Sequence, residues 1–256
     1  LDHGPHVWAI AEHAVMGGVR LREVPPEDAY LSLIAHTHHV GELLRQNKER
    51  LAALKSDAVV AQTEQMVAVS GPDRPTDESL AAAVVWAGFM NWFLRSDGFV
   101  PLFTRSAMIN HGDFLEKVRG IVYPLPGYYA QAMYAAQPGR IPVAAHARTP
   151  VMDIPGSHFL PAEVPCIDVA ALLGEDDATL VALAANRHPS AKIAVDFAVH
   201  AFEAGRVAEV QVLAGPSYSS RNSWDAPDHV KPVKQLLPVR DGVVSLSLPP
   251  HSVVVV

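Results

Sequence analysis

The stretch Asp57-Ala58-Val59-Val60-Ala61-Gln62-Thr63-Glu64 runs from a polar turn through a β-branched apolar core to a carboxylate. Lys55-Ser56-Asp57 supplies the turn, and no further regular pattern follows, so the run reads as a buried parallel strand. Glu64 is then expected at the strand's carboxyl end, the edge where the loops of a parallel sheet converge to build sites. From these eight residues alone, an N-cap or loop carboxylate facing water is favoured over a catalytic acid. The surrounding pattern has to separate the two.

Upstream, Pro25-Pro26 introduces a segment from Glu27 to Leu54 whose apolar residues keep a helical period, with acids at its start and Arg45, Lys48 and Arg50 towards its end. Charges placed in that order suit the helix dipole, and one long helix is expected, with a possible interruption near Gly41. Downstream, a loop through Gly71-Pro72-Asp73-Arg74-Pro75 leads to Thr76-Asp77-Glu78, an N-terminal helix signature. The helix it opens, to about Arg95, is apolar nearly all round and must be buried on several sides. Phe99 to Asn110 reads as a strand with its loop, and Tyr128 to Ala136 as a last helix. This alternation is that of a parallel α/β domain. Two or three strands are too few to stand alone, and the chain opens at Leu1 without a signal-peptide pattern. A preceding half is therefore expected.

After Gly139 prolines recur, helical periodicity stops, and short β-branched runs appear at 179–184, 193–197, 207–213, 243–248 and 252–256. Strands at this spacing indicate an antiparallel sandwich or jelly roll. The expected fold class is thus α/β plus all-β, divided into residues 1–138 and 139–256.

Composition bounds the function. The 256 residues are 49% apolar and 18% charged, carry a formal charge of -7 and have a pI near 6.0. No basic stripe is interleaved with aromatics, so nucleic acid is not an expected partner. Every apolar stretch is interrupted well short of the roughly eighteen residues that a membrane span needs. Cys166 is the single cysteine, which rules out an internal disulfide and fits a cytoplasmic, reducing compartment, although secretion stays open without the preceding sequence. It reads as a small buried hydrophobe. His36, His38 and His39 suggest a metal only at first sight, because no carboxylate or thiol stands at partner spacing. No metal and no cofactor is expected.

Four blocks in the second half carry a resemblance: Asn186-Arg187-His188-Pro189, Gly215-Pro216-Ser217, Asn222-Ser223-Trp224-Asp225-Ala226-Pro227-Asp228-His229-Val230, and Leu248-Pro249-Pro250-His251-Ser252-Val253. In content and order they resemble the C-terminal domain of the α-L-arabinofuranosidases of glycoside hydrolase family 51. In the first half, Thr63-Glu64 is similar to that family's nucleophile block, and Arg105 to Asn110 with Tyr128 to Tyr134 to its last barrel strand and helix. His6-Val7-Trp8 is similar to its strand-end His-x-Tyr segment, with Trp8 in place of Tyr.

The resemblance implies the C-terminal part of a (β/α)8 barrel followed by a β-sandwich. It implies a retaining exo-glycosidase that releases terminal arabinofuranose from arabinose-containing oligosaccharides or polysaccharides, often as a homo-oligomer. Glu64 is the implied nucleophile, and His6 and Trp8 are the implied sugar contacts. Read from the residues alone, His6 is equally a core or loop histidine and Trp8 a packing residue. Retention requires a second carboxyl group roughly 5 to 5.5 Å from the first. The family's acid/base Glu follows Gly-Asn, which does not occur here, and Glu12-His13 lacks that context and reads as structural. Either the acid precedes Leu1, or the chain is a non-catalytic module serving stability, oligomer contacts or carbohydrate binding. The chain departs from the family at Gln65-Met66, at Thr104 (usually Asn) and at Ala107 (usually Gln). Asn222 to Val230 reads as a structural loop held by Asx-type turns.

Overall fold

A computed structural model describes residues 7–17, 19–68, 71, 73–112, 114–155 and 161–256. In the first half β1 (Ala9–Gly17) leads through the short α1 (Val19–Glu23) to α2 (Pro26–Ala53), then β2 (Val59–Ala68), α3 (Leu80–Arg95) and β3 (Leu102–Phe103). The hairpin β4 (Leu115–Val118) and β5 (Ile121–Pro124) and the helix α4 (Pro126–Ala135) follow. The three strands form a parallel sheet in the order β1-β2-β3, each joined to the next through a helix. α2 is continuous through Gly41.

Gly41 has a packing role. A Cβ there would lie 2.2 Å from the Trp92 indole, so glycine lets α2 and α3 approach side by side. α3 buries almost its whole circumference, as its apolar composition requires. The first amides of α3 find acceptors outside the helix: Leu80 N–H donates to Ser220 O at 2.8 Å and Ala81 N–H to Tyr218 O at 2.8 Å. These bonds satisfy donors that no turn of the helix can reach.

In the second half β6 (Gly139–Val143), β7 (Val151–Asp153), β8 (Glu163–Pro165), β9 (Ile167–Gly174), β10 (Leu180–Asn186), β11 (Ile193–Ala198), β12 (Val207–Leu213), β13 (Val233–Pro238), β14 (Val243–Leu248) and β15 (Ser252–Val255) follow one another. Six of them make one antiparallel sheet in the order β13-β12-β15-β10-β9-β6, and β11 pairs with β14. Period-2 alternation gives the large sheet two apolar faces. Leu172, Leu183, Val253 and Val255 join the core that contains α2 and α3. Ala184, Val210 and Val254 pack towards Leu248, Val195 and Phe197 of the β11–β14 pair. The sheet is thus a middle layer, with helices on one side and two strands on the other. β15, buried along its length, is accordingly all valine after Ser252.

Side-chain bonds at the blocks named above hold the halves together. Arg187, fully buried, donates through Nη2 to Pro165 O at 2.6 Å, and Tyr30 Oη donates to Arg187 O at 3.0 Å. Asn222 donates through Nδ2 to Pro124 O at 2.8 Å and to Val230 O at 3.0 Å, while its Oδ1 accepts from Val230 N at 2.7 Å. Among the described residues no helix is long and apolar enough to cross a membrane.

Candidate active site

Glu64 stands within β2, which continues past it to Ala68, so the strand is longer than its sequence suggests. Pairing with β1 is one to one from Ala9↔Val59 to Glu12↔Gln62, and then His13 pairs with Glu64. Thr63 is therefore an extra residue, a β-bulge, and beyond it the alternation along β2 reverses. Val60 and Gln62 before the bulge and Gln65 and Val67 after it are all buried on the helix-covered face. Glu64 falls on the opposite, open face. Without the bulge it would share the parity of Val60 and Gln62 and point at the helices.

The bulge is fastened on both sides. Thr63 Oγ1 donates to Glu12 O at 3.3 Å, Thr104 Oγ1 donates to Thr63 O at 2.6 Å, and Thr104 N–H donates to Gln62 O at 2.9 Å. Gln62 Nε2 donates to Glu64 O at 3.2 Å. The Gln65 side-chain amide is fully buried with no hydrogen-bond partner among the described residues, so the strand carries a costly polar group directly beside Glu64.

On the open face His13 Nδ1 lies 2.9 Å from Glu64 Oε2, with the imidazole 58% and the carboxylate 32% exposed. An N–H donated by His13 there fixes the carboxylate rotamer. Glu12 points the other way, where Asn47 Nδ2 donates to its Oε1 at 3.1 Å. Adjacent to the bulge, a hollow of about 310 Å³ is lined by Phe103, Thr104, Arg105, Ala107, Met108, Phe114 and Gln131. Glu64 does not line it, but Thr104 belongs to both. Arg105 donates from Nη1 to Gly127 O at 3.1 Å and sits 5.6 Å from the Trp86 ring centroid and 5.7 Å from that of Phe114.

The expected sugar contacts do not gather at this place. His6 lies outside the described residues. Trp8, expected at a strand end near the nucleophile, instead precedes the first residue of β1. Its carbonyl accepts from Val59 N–H at 3.1 Å, at the amino end of β2, and its side chain is 65% exposed. The run Ala9-Ile10-Ala11-Glu12-His13-Ala14-Val15 is the real neighbouring strand. Its signal was a mostly apolar run like that of Asp57 to Glu64, and the residue it brings to Glu64 is His13, read from sequence as structural. The rings of His36 and His39 meet edge to face at 6.4 Å on α2. Among the described residues no three His, Cys, Asp or Glu side chains are placed to hold a metal ion.

Comparison with known proteins points to one family. The profile of the family described as "Alpha-L-arabinofuranosidase C-terminal domain" matches residues 57–252. No curated protein sequence matches. The fold is similar to that of an α-L-arabinofuranosidase from Thermotoga maritima solved with arabinose, with a TM-score of 0.81 at 20% identity over 96% of this chain and 52% of that one. It is also similar to the GH51 arabinofuranosidase of Xanthomonas axonopodis pv. citri, with a TM-score of 0.79 at 20% identity over 96% and 51%. A family 51 α-L-arabinofuranosidase from Bifidobacterium longum gives a TM-score of 0.80 at 17% identity over 96% and 52%. The chain spans about half the length of these structures.

Proposed function

Because the chain belongs to the α-L-arabinofuranosidase C-terminal domain family, we propose that it supplies the nucleophile half of a retaining glycosidase that removes terminal arabinofuranose. The observation that carries this reading is Glu64, turned to the open face of a parallel sheet by the bulge at Thr63 and hydrogen-bonded by His13. In this reading β1, β2 and β3 are the last strands of a (β/α)8 barrel, residues 1–138 belong to it, and 139–256 form the accompanying sandwich. The open face is where the remaining strands close the barrel, and the sugar occupies the space between them and Glu64.

The chemistry follows from one carboxylate with a fixed rotamer. Glu64 attacks the anomeric carbon while a second carboxyl group protonates the departing oxygen. The glycosyl ester then breaks when water, activated by that second group, attacks the same carbon from the opposite side. Glu12, the nearest acid in sequence on β1, is held on the helix side by Asn47 and cannot be that second group. It is supplied by a segment outside this chain, so the 256 residues alone turn over little or no substrate. His13 keeps Glu64 aimed during attack. Thr104 and Ala107 stand where relatives tend to offer amide side chains, so recognition here leans less on hydrogen bonds at that edge, and discrimination among pentofuranosides relaxes.

The test is hydrolysis of an aryl α-L-arabinofuranoside by the longest natural polypeptide that contains this sequence. Substitution Glu64→Gln abolishes turnover if the reading is right. Turnover unchanged in that variant rejects it, and a polypeptide inactive in both forms makes the chain a non-catalytic module of the same fold.

A further inference from the structure

The β4–β5 hairpin contains an expensive choice of residue. Val118 pairs with Ile121, so Arg119-Gly120 is a two-residue turn, and both residues have positive φ, 52° and 81°. Such turns favour Asn or Asp before Gly, because a long side chain at left-handed φ crowds its own backbone. Arg119 instead projects over an indole: its guanidinium carbon lies 4.5 Å from the ring centroid of Trp224. A residue held in a sparsely populated conformation is a reason to look for a role.

The indole is equally out of place for a soluble surface. Trp224 is 41% exposed even with Arg119 over one face, in a loop whose neighbours Asn222 and Val230 are buried and bonded to each other. Asp225 is tied down beside it, accepting from Ser223 Oγ at 2.6 Å, and both that bond and the nearby Arg119 charge hold its carboxyl below the usual range. The loop is anchored at the carboxyl edge of the parallel sheet. Arg221 pairs with Glu78 at 2.7 Å just before α3, Ser79 bridges Arg221, and Asn222 holds Pro124 at the end of the hairpin. This is the edge towards which β2 runs after Glu64. Ile121 and Val122 of the same hairpin are also exposed.

We propose that Trp224, backed on one face by Arg119 and flanked by Asp225, is a sugar-stacking platform contributed by the sandwich to the rim of the cleft, where its other face holds a neutral sugar ring of the chain that bears the terminal arabinose. The inference rests on the function proposed above for the choice of ligand. The free aromatic face takes the apolar C–H face of a sugar ring, and the flanking carboxylate takes its hydroxyls. Arg119 keeps the indole in one orientation before the ligand arrives, which lowers the ordering cost of binding.

Every residue of the platform lies in this chain, and the test uses the longest natural polypeptide that contains this sequence. The Trp224→Phe variant assigns the Trp224 indole N–H resonance in its spectrum. Titration with α-1,5-linked arabinotetraose and, separately, with xylotetraose at millimolar concentrations should move the Trp224 resonance in a saturable way with at least one of the two. The sugar that moves it identifies the backbone recognised. Arg119→Ala should weaken that binding at least threefold. A Trp224 resonance unmoved by both tetraoses, or binding unaltered by Arg119→Ala, overturns the proposal. An unmoved resonance in a protein whose Glu64-dependent hydrolysis persists rejects the platform and leaves the glycosidase reading standing.

Discussion

His13 and Glu64 meet at 2.9 Å on a face of the sheet that helices do not cover, and the two residues lie on different strands separated by a long helix. Sequence reading puts Glu64 on a strand but at its carboxyl end, whereas β2 runs on to Ala68, and it offers no sign that His13 is the partner, because contact across a parallel ladder depends on register. One extra residue at Thr63 sets that register. If the pair positions the nucleophile, His13→Ala in the active polypeptide lowers kcat by roughly tenfold to a hundredfold, the equivalent of one hydrogen bond to a charged group. KM for an aryl arabinofuranoside should change far less. An equal loss in Asn47→Ala, which touches only Glu12 on the other face, would mean that the effect is general loosening of β1. Trp8 teaches the complementary lesson. Its family-like spacing from His6 suggested a pocket residue, whereas the ladder puts it at the amino end of the sheet.

At the scale of elements, the long helix, the apolar helix and the strands rich in Val and Ile were legible because period and length agree with burial. β1 was missed because Glu12 and His13 interrupt its apolar run, and β9 because its Ala-rich pattern alternates weakly. β3 shrank to Leu102–Phe103, since the rest of that segment is held by side-chain and loop bonds. Gly41 reads in sequence as a possible break in α2, but glycine there answers a neighbour. Gly41→Ala would ordinarily favour the helix by about 1 kcal/mol. Here the new methyl meets Trp92, and the expected outcome is a loss of about 1–3 kcal/mol in denaturant unfolding. Adding Trp92→Ala should erase the penalty specific to Gly41→Ala, and a double-mutant cycle showing no coupling would contradict this packing. Asn222→Ala strips Pro124 O, Val230 O and Val230 N–H of their partner at once. A loss of about 2–4 kcal/mol follows from unsatisfied buried backbone groups, measured by the same unfolding experiment. In this case the sequence reading of a structural loop was right about the purpose of the residue, though the bond to Pro124 on the other half could not be read from spacing.

For the molecule as a whole, the middle sheet shares one apolar core with α2 and α3, so stability reports on both halves together. Two histidines of α2 make that stability depend on pH. Burial, aided by His39, holds His36 below the usual imidazole range of 6.5, and burial with the nearby Arg187 does the same for His38, against opposing contributions from Asp168 and Glu42. A lowered folded-state pKa means that the unfolded chain binds more protons below 6.5. Their contribution is therefore fully present above pH 6.5 and is lost as pH falls through the folded-state values. The urea midpoint should drop between pH 7 and pH 5, and drop less in His36→Gln/His38→Gln. An identical drop in that variant would assign the acid sensitivity elsewhere. What sequence could not supply at this scale is the layering, since nothing in local patterning says that one sheet serves helices on one face and two strands on the other.

The account depends most on Glu64 forming a covalent bond to sugar. Treating the active polypeptide with an activated 2-deoxy-2-fluoro arabinofuranoside, digesting it and sequencing the labelled peptide by mass spectrometry tests this directly. The account predicts one glycosyl adduct, on Glu64, in the peptide that contains Thr63 and Gln65. An adduct on any other carboxylate, or steady turnover of substrate with Glu64 never labelled, would contradict it.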